Sequence, residues 1–151
     1  MIILLNNLRK IRKSENLMRP RKVRSLAVRH CDGGSCNGCE HELSLLSSPC
    51  YDFQRFGLSV VASPRHADVL VVTGSITVAM VDAIRRAYGA MPEPRKVVAL
   101  GACALGDGVL GQDDRIIGRL DDILPVDMII EGCPPTPEQI INGLTKLLEQ
   151  A

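Results

Sequence analysis

The chain has 151 residues, which is the usual size of one domain and is long enough to bury a hydrophobic core. Hydrophobic residues make up 46% and charged residues 23% of it, as in ordinary globular proteins, and no apolar run approaches the ~20 residues of a membrane-spanning helix. Aromatic residues amount to only 3%, so the core must be built from aliphatic side chains. Such a core suits a parallel β-sheet that is buried on both faces.

The segment 1–22 is predicted to be a basic arm, either an amphipathic helix or a disordered extension. Residues 1–30 carry nine Arg or Lys and one acidic residue, a balance of +8, whereas the rest carries nine basic and sixteen acidic residues, a balance of −7. Apolar residues recur in the arm at helical spacing: Ile2, Leu4, Leu5, Leu8 and Ile11. A basic arm on an acidic body suggests contact with anionic lipid or an acidic partner. We do not expect nucleic-acid binding, because no aromatic platform or known nucleic-acid module accompanies the arm.

After Pro20, short β-branched segments alternate with amphipathic segments. Strands are predicted at Arg24–Arg29, Leu58–Ala62, Asp68–Thr73, Lys96–Leu100 and Asp127–Ile130, and helices at Glu40–Leu46, Thr77–Tyr88 and Pro137–Gln150. The last helix has a typical start, in which Thr136 offers a capping hydroxyl and Pro137 takes the first helical position. Alternating strands and helices predict a single α/β domain with a doubly wound parallel sheet over residues 23–151.

Four of the six cysteines follow predicted strands. Cys36 and Cys39 lie in the loop after the first strand, Cys103 directly follows the fourth strand, and Cys133 directly follows the fifth. The carboxyl ends of parallel strands meet at one edge of a sheet, where open α/β sheets bind their ligands, so we expect the four thiols to converge. A disulfide framework is not expected, because the apolar segment Met1–Asn6 is too short for a signal-peptide core.

Four converging thiolates can bind a structural Zn²⁺ or a [4Fe-4S] cluster, which takes one Cys per iron. Structural zinc commonly uses two close Cys pairs, whereas this chain has one C-x-x-C pair and two single Cys, a pattern that favours the cluster. Glycines near the cysteines would let the backbone approach a cluster: Gly33, Gly34, Gly38, Gly101, Gly106 and Gly132. A thioredoxin-like dithiol at Cys36 and Cys39 is an alternative, but it leaves Cys103 and Cys133 unexplained.

Four motifs, in order along the chain, resemble a known family. They read SCNGCE, PRHADVLVVTG, MPEPRKVVALGAC and GCPPTPEQIINGL. They are similar to segments of the small subunits of energy-converting membrane-bound [NiFe]-hydrogenases, such as formate hydrogenlyase, and of the homologous cluster-bearing subunit of respiratory complex I. The resemblance runs from about Arg24 to Leu148. The complex I subunit has two adjacent Cys in the first motif, whereas Asn37 and Gly38 separate the two Cys here, as in the hydrogenase branch.

The resemblance implies a flavodoxin-like fold in which Cys36, Cys39, Cys103 and Cys133 hold a [4Fe-4S] cluster, proximal to the nickel–iron centre of a separate large subunit. It implies an electron-transferring oxidoreductase subunit that is not active alone. It also implies membrane-embedded subunits and a ferredoxin-like subunit as further partners, and a cytoplasmic position on the inner face of the cell membrane. Because the chain ends soon after Cys133, we expect it to carry one cluster.

Three positions depart from the family pattern. Glu131 stands where the family commonly has Pro, Thr136 where it has Arg, and Ser75 where it has the Pro of a TGP motif. The four cysteines are unaffected, but the reaction of the complex is left open. The alternatives are a hydrogenase-related complex that does not make hydrogen, a complex I-like subunit that passes electrons to quinone, and a zinc-stabilised interaction module without a redox role.

Several residues near the motifs are secondary candidates. Glu42, three residues after Cys39, matches an acid of related small subunits and is a candidate for proton transfer; its alternative role is that of a solvated acid in the first turn of a helix. Glu40 is expected at the surface or an interface. Arg65 and His66 match a family motif that is expected to lie near the cluster.

The two remaining cysteines are expected to be free thiols. Cys31 lies at the end of the first strand, five residues before Cys36, and is close enough in sequence to compete as a ligand. Buried free Cys are common, however, and Cys50 is predicted in a more remote turn.

Overall fold

A five-stranded parallel sheet organises the fold in the computed structural model, which describes residues 25–108 and 113–150. The predicted arm 1–22 lies outside these residues. The described strands are β1 (Leu26–Asp32), β2 (Leu58–Val60), β3 (Val69–Thr73), β4 (Ile76–Thr77), β5 (Lys96–Leu100), β6 (Ile116–Gly118) and β7 (Met128–Ile130). The described α-helices are α1 (Gly38–Leu45), α2 (Val78–Ala90) and α3 (Pro137–Gln150).

The strand order explains where a ligand site can form. The parallel sheet has the order β2-β1-β3-β5-β7, while β4 and β6 pair separately as a short antiparallel ribbon. The chain therefore crosses from one side of β1, where β2 lies, to the other side, where β3 lies. This order is that of flavodoxin-like folds, and the crossing creates a crevice at the carboxyl edge of the sheet. The predicted flavodoxin-like, doubly wound sheet is confirmed.

Alternate residues of the central strand β3 face two different hydrophobic cores. Val69 and Val71 belong to the core beneath α1 and α3, whereas Leu70 and Val72 belong to the core beneath α2. All four side chains are almost completely buried. The unbroken β-branched and aliphatic sequence of this strand follows from that position, because a strand covered by helices on both faces has no solvent-facing side.

Helix α3 begins where the sequence predicts. The hydroxyl of Thr136 accepts a hydrogen bond from the backbone N–H of Gln139 at 3.3 Å, and the Gln139 side chain accepts one in return from the N–H of Thr136 at 2.8 Å. This reciprocal pair satisfies two backbone donors at the start of the helix. The buried stripe of the helix then covers one face of the sheet; it consists of Ile140, Ile141, Leu144, Leu147 and Leu148.

The structure differs from the sequence prediction mainly at one strand end and in the short ribbon. Strand β1 continues to Asp32, three residues beyond its predicted end, because Cys31 and Asp32 pair with Val72 and Thr73 of β3. The ribbon of β4 and β6 was not predicted. Its strands have two and three residues, too few for a periodic pattern to show in the sequence.

Packing of α2 can be tested with a matched pair of substitutions on that helix. Ile84 is 0% exposed, so Ile84→Ala removes buried carbon atoms and is expected to lower the free energy of unfolding by about 2–5 kcal/mol. Val78 is 60% exposed, and Val78→Ala is expected to change the free energy of unfolding by less than about 0.5 kcal/mol. Urea unfolding followed by circular dichroism measures both values, and equal losses would contradict the described packing.

Candidate functional site

Three loops at the carboxyl edge of the sheet carry the four predicted site cysteines. The loop after β1 carries Cys36, and Cys39 follows in the first turn of α1. Cys103 lies in a short 3-10 helix, Ala102–Leu105, directly after β5, and Cys133 lies in the segment between β7 and α3. Cys39 and Cys103 are buried, whereas Cys36 and Cys133 are exposed. The site therefore has a buried side against the sheet and an open side.

Backbone hydrogen bonds join these loops to one another. The N–H of Gly101 donates to the carbonyl of Ile130 at 2.8 Å, and the N–H of Ala102 donates to that of Gly132 at 2.9 Å. These bonds fix the loop of Cys103 beside the loop of Cys133. At the first loop, the carboxylate of Asp32 accepts hydrogen bonds from the N–H groups of Gly34 and Ser35, both at 2.8 Å. The three loops are thus held by the ends of the strands they follow.

A glycine brings two of the loops into direct contact. Gly101 has a φ of +87°, which L side chains rarely adopt, and a Cβ at this position would lie 2.6 Å from the Cys39 sulfur. The sulfur of Cys39 therefore rests against the backbone of the loop after β5. On the other side of the site, a Cβ at Gly38 would lie 3.5 Å from the Cys36 sulfur and 3.8 Å from Cβ of Pro134. The loops after β1, β5 and β7 consequently meet.

The pKa of Cys39 is sensitive to burial and to the charged groups around it. Burial raises the pKa of the Cys39 thiol most, followed by the negative charge of Glu40 and then by Cys103, Cys36 and Cys133, to about 12. Each further ionised thiol thus makes ionisation of Cys39 harder. Four thiolates at this edge need a positively charged centre to stabilise them, which is the donor chemistry of an iron or zinc site.

A site for a single metal ion and a site for a cluster require different arrangements of the ligand side chains. In the described residues, no three or more side chains of His, Cys, Asp or Glu are grouped so that they could hold one metal ion. A [4Fe-4S] cluster has a different requirement, because each thiolate binds its own iron. The donor set at this edge, four thiols from three loops around a glycine-lined contact, matches that requirement in type and number.

Cys31 and Cys50 do not join the four. Cys31 is half-buried and packs against the core beneath α2, whereas Cys39 belongs to the core on the opposite face of the sheet. Burial raises the pKa of Cys31, as expected for a thiol in an apolar environment. Cys50 is exposed in the segment after α1.

The secondary candidates divide into two groups. Arg65 and His66 lie in a short helix that leads into β3, at the edge of the sheet opposite to the cysteine loops. The expectation that these two residues lie near the cluster is therefore wrong. Glu42 is half-buried on α1. Burial and Glu138 raise the pKa of Tyr51 most, and the charge of Glu42 raises it further. Proton transfer by Glu42 stays a prediction.

A polar network beside Cys39 was not predicted. Glu40, which is expected at the surface or an interface, lies in the first turn of α1 with its side chain only 20% exposed. It accepts a hydrogen bond from the hydroxyl of Thr73 at the end of β3. The Nε2 atom of His30 lies 2.8 Å from the Thr73 hydroxyl and 3.5 Å from the Glu40 carboxylate. The sequence offered one hint of this network. His30 and Thr73 lie near the ends of β1 and β3, two neighbouring parallel strands, so their side chains could be expected at the same edge of the sheet.

Comparisons with known proteins cover the segment that contains all four cysteines. The profile of the protein family described as NADH ubiquinone oxidoreductase, 20 Kd subunit, matches residues 36–147. The chain is 43% identical over 127 residues to the probable membrane-bound hydrogenase subunit mbhJ of Pyrococcus furiosus, covering 84% of this chain and 76% of that protein. It is 44% identical over 130 residues to formate hydrogenlyase subunit 7 of Escherichia coli, covering 84% of this chain and 51%, about half, of that protein.

Solved structures share the fold. A chain of the membrane-bound sulfane sulfur reductase, an archaeal respiratory membrane complex, matches with a TM-score of 0.73 and 34% identity, covering 85% of this chain and 71% of that chain. A chain of an NAD⁺-reducing [NiFe]-hydrogenase matches with a TM-score of 0.67 and 20% identity, covering 84% of this chain and 93% of that chain. The second likeness, at that identity, establishes the shared fold alone.

Close packing at Gly101 gives a testable requirement for glycine. Gly101→Ala is expected to displace the Cys39 sulfur and to lower the iron content of the purified protein at least several-fold, because the added carbon would lie 2.6 Å from that sulfur. In the matched control, Gly89→Ala, the added carbon meets no atom within 4 Å, and iron content is expected to be unchanged. Iron analysis of the two variants tests this, and normal iron content in Gly101→Ala would contradict the described contact.

The raised pKa of Cys39 predicts a pH dependence of its reactivity in the metal-free chain. Only the thiolate reacts with iodoacetamide, and a pKa of about 12 keeps the thiol protonated through the neutral range. The rate of Cys39 alkylation is therefore expected to rise about tenfold per pH unit from about pH 7 to about pH 10, without levelling off. Mass spectrometry of the peptide that contains Cys39 measures the rate; a plateau below about pH 9 would contradict the described environment.

Proposed function

The chain belongs to the family of the 20 kDa subunit of NADH ubiquinone oxidoreductase, and we propose that it is the electron-transfer subunit of a membrane-associated [NiFe]-hydrogenase-like complex. In this proposal, Cys36, Cys39, Cys103 and Cys133 bind one [4Fe-4S] cluster close to the catalytic centre of a partner large subunit. The chain is part of an oxidoreductase and has no activity of its own, because substrate chemistry takes place in the partner.

The observation that carries the proposal is the meeting of the three cysteine loops at one edge of the sheet. The Cys39 sulfur rests against Gly101, and backbone hydrogen bonds of Gly101 and Ala102 join the loop of Cys103 to the loop of Cys133. Local sequence cannot produce such a group, since the loops follow strands that are far apart in the chain. Only the parallel sheet, with the strand order of a flavodoxin-like fold, brings them together.

The residues of the chain hold the site and shape its surroundings. When bound, a [4Fe-4S] cluster accepts and releases single electrons. Cys39 and Cys103 lie on the buried side of the site, and the hydrogen bonds of Gly101 and Ala102 join the loop of Cys103 to the loop of Cys133. Burial and backbone N–H groups near the sulfurs are the means by which a protein sets the potential of such a centre.

The open side of the site supports the proposal of a large partner subunit. Cys36 and Cys133 are exposed in the described structure, so a partner that covers this edge would complete the shielding of the site. Two relatives carry names that make them subunits of a membrane-bound hydrogenase and of formate hydrogenlyase. We therefore infer that the catalytic metal centre lies in a hydrogenase-like large subunit that docks on this edge.

Membrane association is proposed to come from the complex. Within the part of the chain that the structure describes, no helix combines the length and the apolar character that are required to cross a bilayer. Membrane-embedded partners, together with the basic arm 1–22 against anionic lipid, would hold the chain on the cytoplasmic face of the membrane. A ferredoxin-like subunit would link the cluster to its electron donor.

A second candidate function is electron transfer to an acceptor other than protons. The family profile is named for a ubiquinone-reducing enzyme, and a 34% identical chain belongs to a sulfane sulfur reductase. In this case the same cysteines would hold the cluster, and the partner would contain no nickel. Nickel analysis of the intact complex distinguishes the two: nickel in the large subunit favours hydrogenase chemistry, and its absence favours the second candidate.

The cluster assignment is tested on the anaerobically purified complex. The chain is expected to hold the iron and sulfide of one [4Fe-4S] cluster and to give an electron paramagnetic resonance signal after reduction with dithionite. Ser substitution of Cys36, Cys39, Cys103 or Cys133 is expected to reduce the iron content and to alter or abolish the signal.

Cys31→Ser and Cys50→Ser are the matched controls, because neither residue lies with the four site cysteines. Both variants are expected to keep the full iron content. Zinc in place of iron in the anaerobic protein would refute the redox assignment, and so would full iron content and an unchanged signal in a variant of any of the four.

A further inference from the structure

Glu40 holds a carboxylate next to a site cysteine in a buried setting. It directly follows Cys39, and its Oε1 atom accepts a hydrogen bond from the Thr73 hydroxyl. Thr73 is 0% exposed and ends β3, so the carboxylate is tied to the carboxyl end of the central strand. Its second oxygen, Oε2, is buried and accepts no hydrogen bond from the described residues. The carboxylate is thus largely shielded from water, which would otherwise screen its charge more strongly.

The direction of the hydrogen bonds follows from the chemistry of the three groups. The Thr73 hydroxyl donates its single proton to the Glu40 carboxylate. The His30 Nε2 atom, 2.8 Å from the same hydroxyl oxygen, must then donate to it. The chain of bonds runs from His30 through Thr73 to Glu40, and it holds the carboxylate in one position.

This network fixes the carboxylate without neutralising it. Burial lowers the pKa of His30, and this effect outweighs the opposite effects of Glu40 and Asp32; the charge of Arg29 acts in the same direction as burial. The imidazole is therefore neutral at pH 7 and supplies a hydrogen bond but no positive charge. The guanidinium of Arg29 is directed elsewhere, since it donates to the carbonyl of Ala62 at 2.7 Å.

A fixed negative charge has a defined effect on an electron-accepting group beside it. Glu40 directly follows Cys39 in the first turn of α1, and its carboxylate is held by the hydrogen bond from Thr73. Adding an electron to a centre bound by Cys39 adds negative charge close to this carboxylate. The carboxylate opposes that change, because like charges repel more strongly where solvent screens them less.

We propose that Glu40, held by Thr73 and His30, is a positioning and charge-setting residue that lowers the reduction potential of the cluster. The proposal rests on the proposed function, since it requires a cluster at Cys39. A low-potential donor supplies one electron, which makes the cluster more negative by one charge. No bond to Glu40 forms or breaks. Removing the charge is therefore expected to make reduction easier.

The test is a redox titration of the intact complex, followed by electron paramagnetic resonance, with wild type and Glu40→Gln compared at one pH. Gln preserves the acceptor oxygen but removes the charge. The ratio of reduced to oxidised cluster at a fixed potential is expected to rise about tenfold, which corresponds to a shift of about 59 mV for a one-electron couple. Iron content is measured in parallel, so that the titration refers to loaded protein.

Two further variants separate charge from structure. Asp82→Asn removes the same formal charge from an exposed position on α2, a helix that covers the opposite face of the sheet from α1, and is expected to leave the potential unchanged. Thr73→Val keeps the charge but removes the hydrogen bond that holds it, with nearly the same side-chain volume. It is expected to shift the potential in the same direction as Glu40→Gln, but by less.

The outcomes distinguish this proposal from the proposed function. A wild-type complex without a cluster would refute both. A loaded Glu40→Gln complex with an unchanged potential would refute the role of Glu40 and leave the cluster assignment intact. If Glu40→Gln does not load, the Thr73→Val titration decides: a raised potential supports the proposal, and an unchanged one overturns it.

Discussion

Mutual repulsion of four thiolates at one edge of a parallel sheet is the constraint on which the site depends. Burial raises the pKa of the Cys39 thiol most, and the neighbouring carboxylate and three further cysteines add to this effect, to about 12. Negative charge on several neighbouring sulfurs is therefore unfavourable without a cation between them. A multiply charged metal centre reverses the balance, because it stabilises each thiolate that binds to it.

The fold supplies the rigidity that holds these groups together. Strand β3 is covered on both faces, and helix α3 starts with a reciprocal cap between Thr136 and Gln139 just after the loop of Cys133. Short hydrogen bonds from Gly101 and Ala102 join that loop to the loop of Cys103. The cysteines therefore lie at the ends of elements with little freedom to relax. In such a rigid setting, a neighbouring charge such as that of Glu40 keeps its position and can influence the reduction potential of a bound cluster.

Much of this architecture could be predicted from the sequence, for specific reasons. The buried strands β3 and β5 are runs of aliphatic residues without alternation, and the stripe and cap of α3 are local patterns. The four cysteines follow strands, so their expected convergence needed only the rule that parallel strands end at one edge. The end of β1 was missed because pairing with β3, a non-local contact, decides it.

Other features depend on three-dimensional contacts that no local pattern reveals. Glu40 resembles an exposed acid in the first turn of a helix, and its hydrogen bond with Thr73, which His30 also contacts, follows only from the fold. Arg65 and His66 lie within a recognisable motif, but the direction of the chain through β3 puts them at the far edge of the sheet. Likewise, the face of the sheet toward which Cys31 points, and hence its separation from Cys39, follows from the strand register.

The most direct measurement is a crystal structure of the anaerobic complex with anomalous data collected at the iron absorption edge. We expect iron density for a single cluster at the carboxyl edge of the sheet, bonded to the sulfurs of Cys36, Cys39, Cys103 and Cys133. Iron density bonded to Cys31 or Cys50, or density that leaves out Cys103 or Cys133, would contradict the convergence of the three loops on one centre.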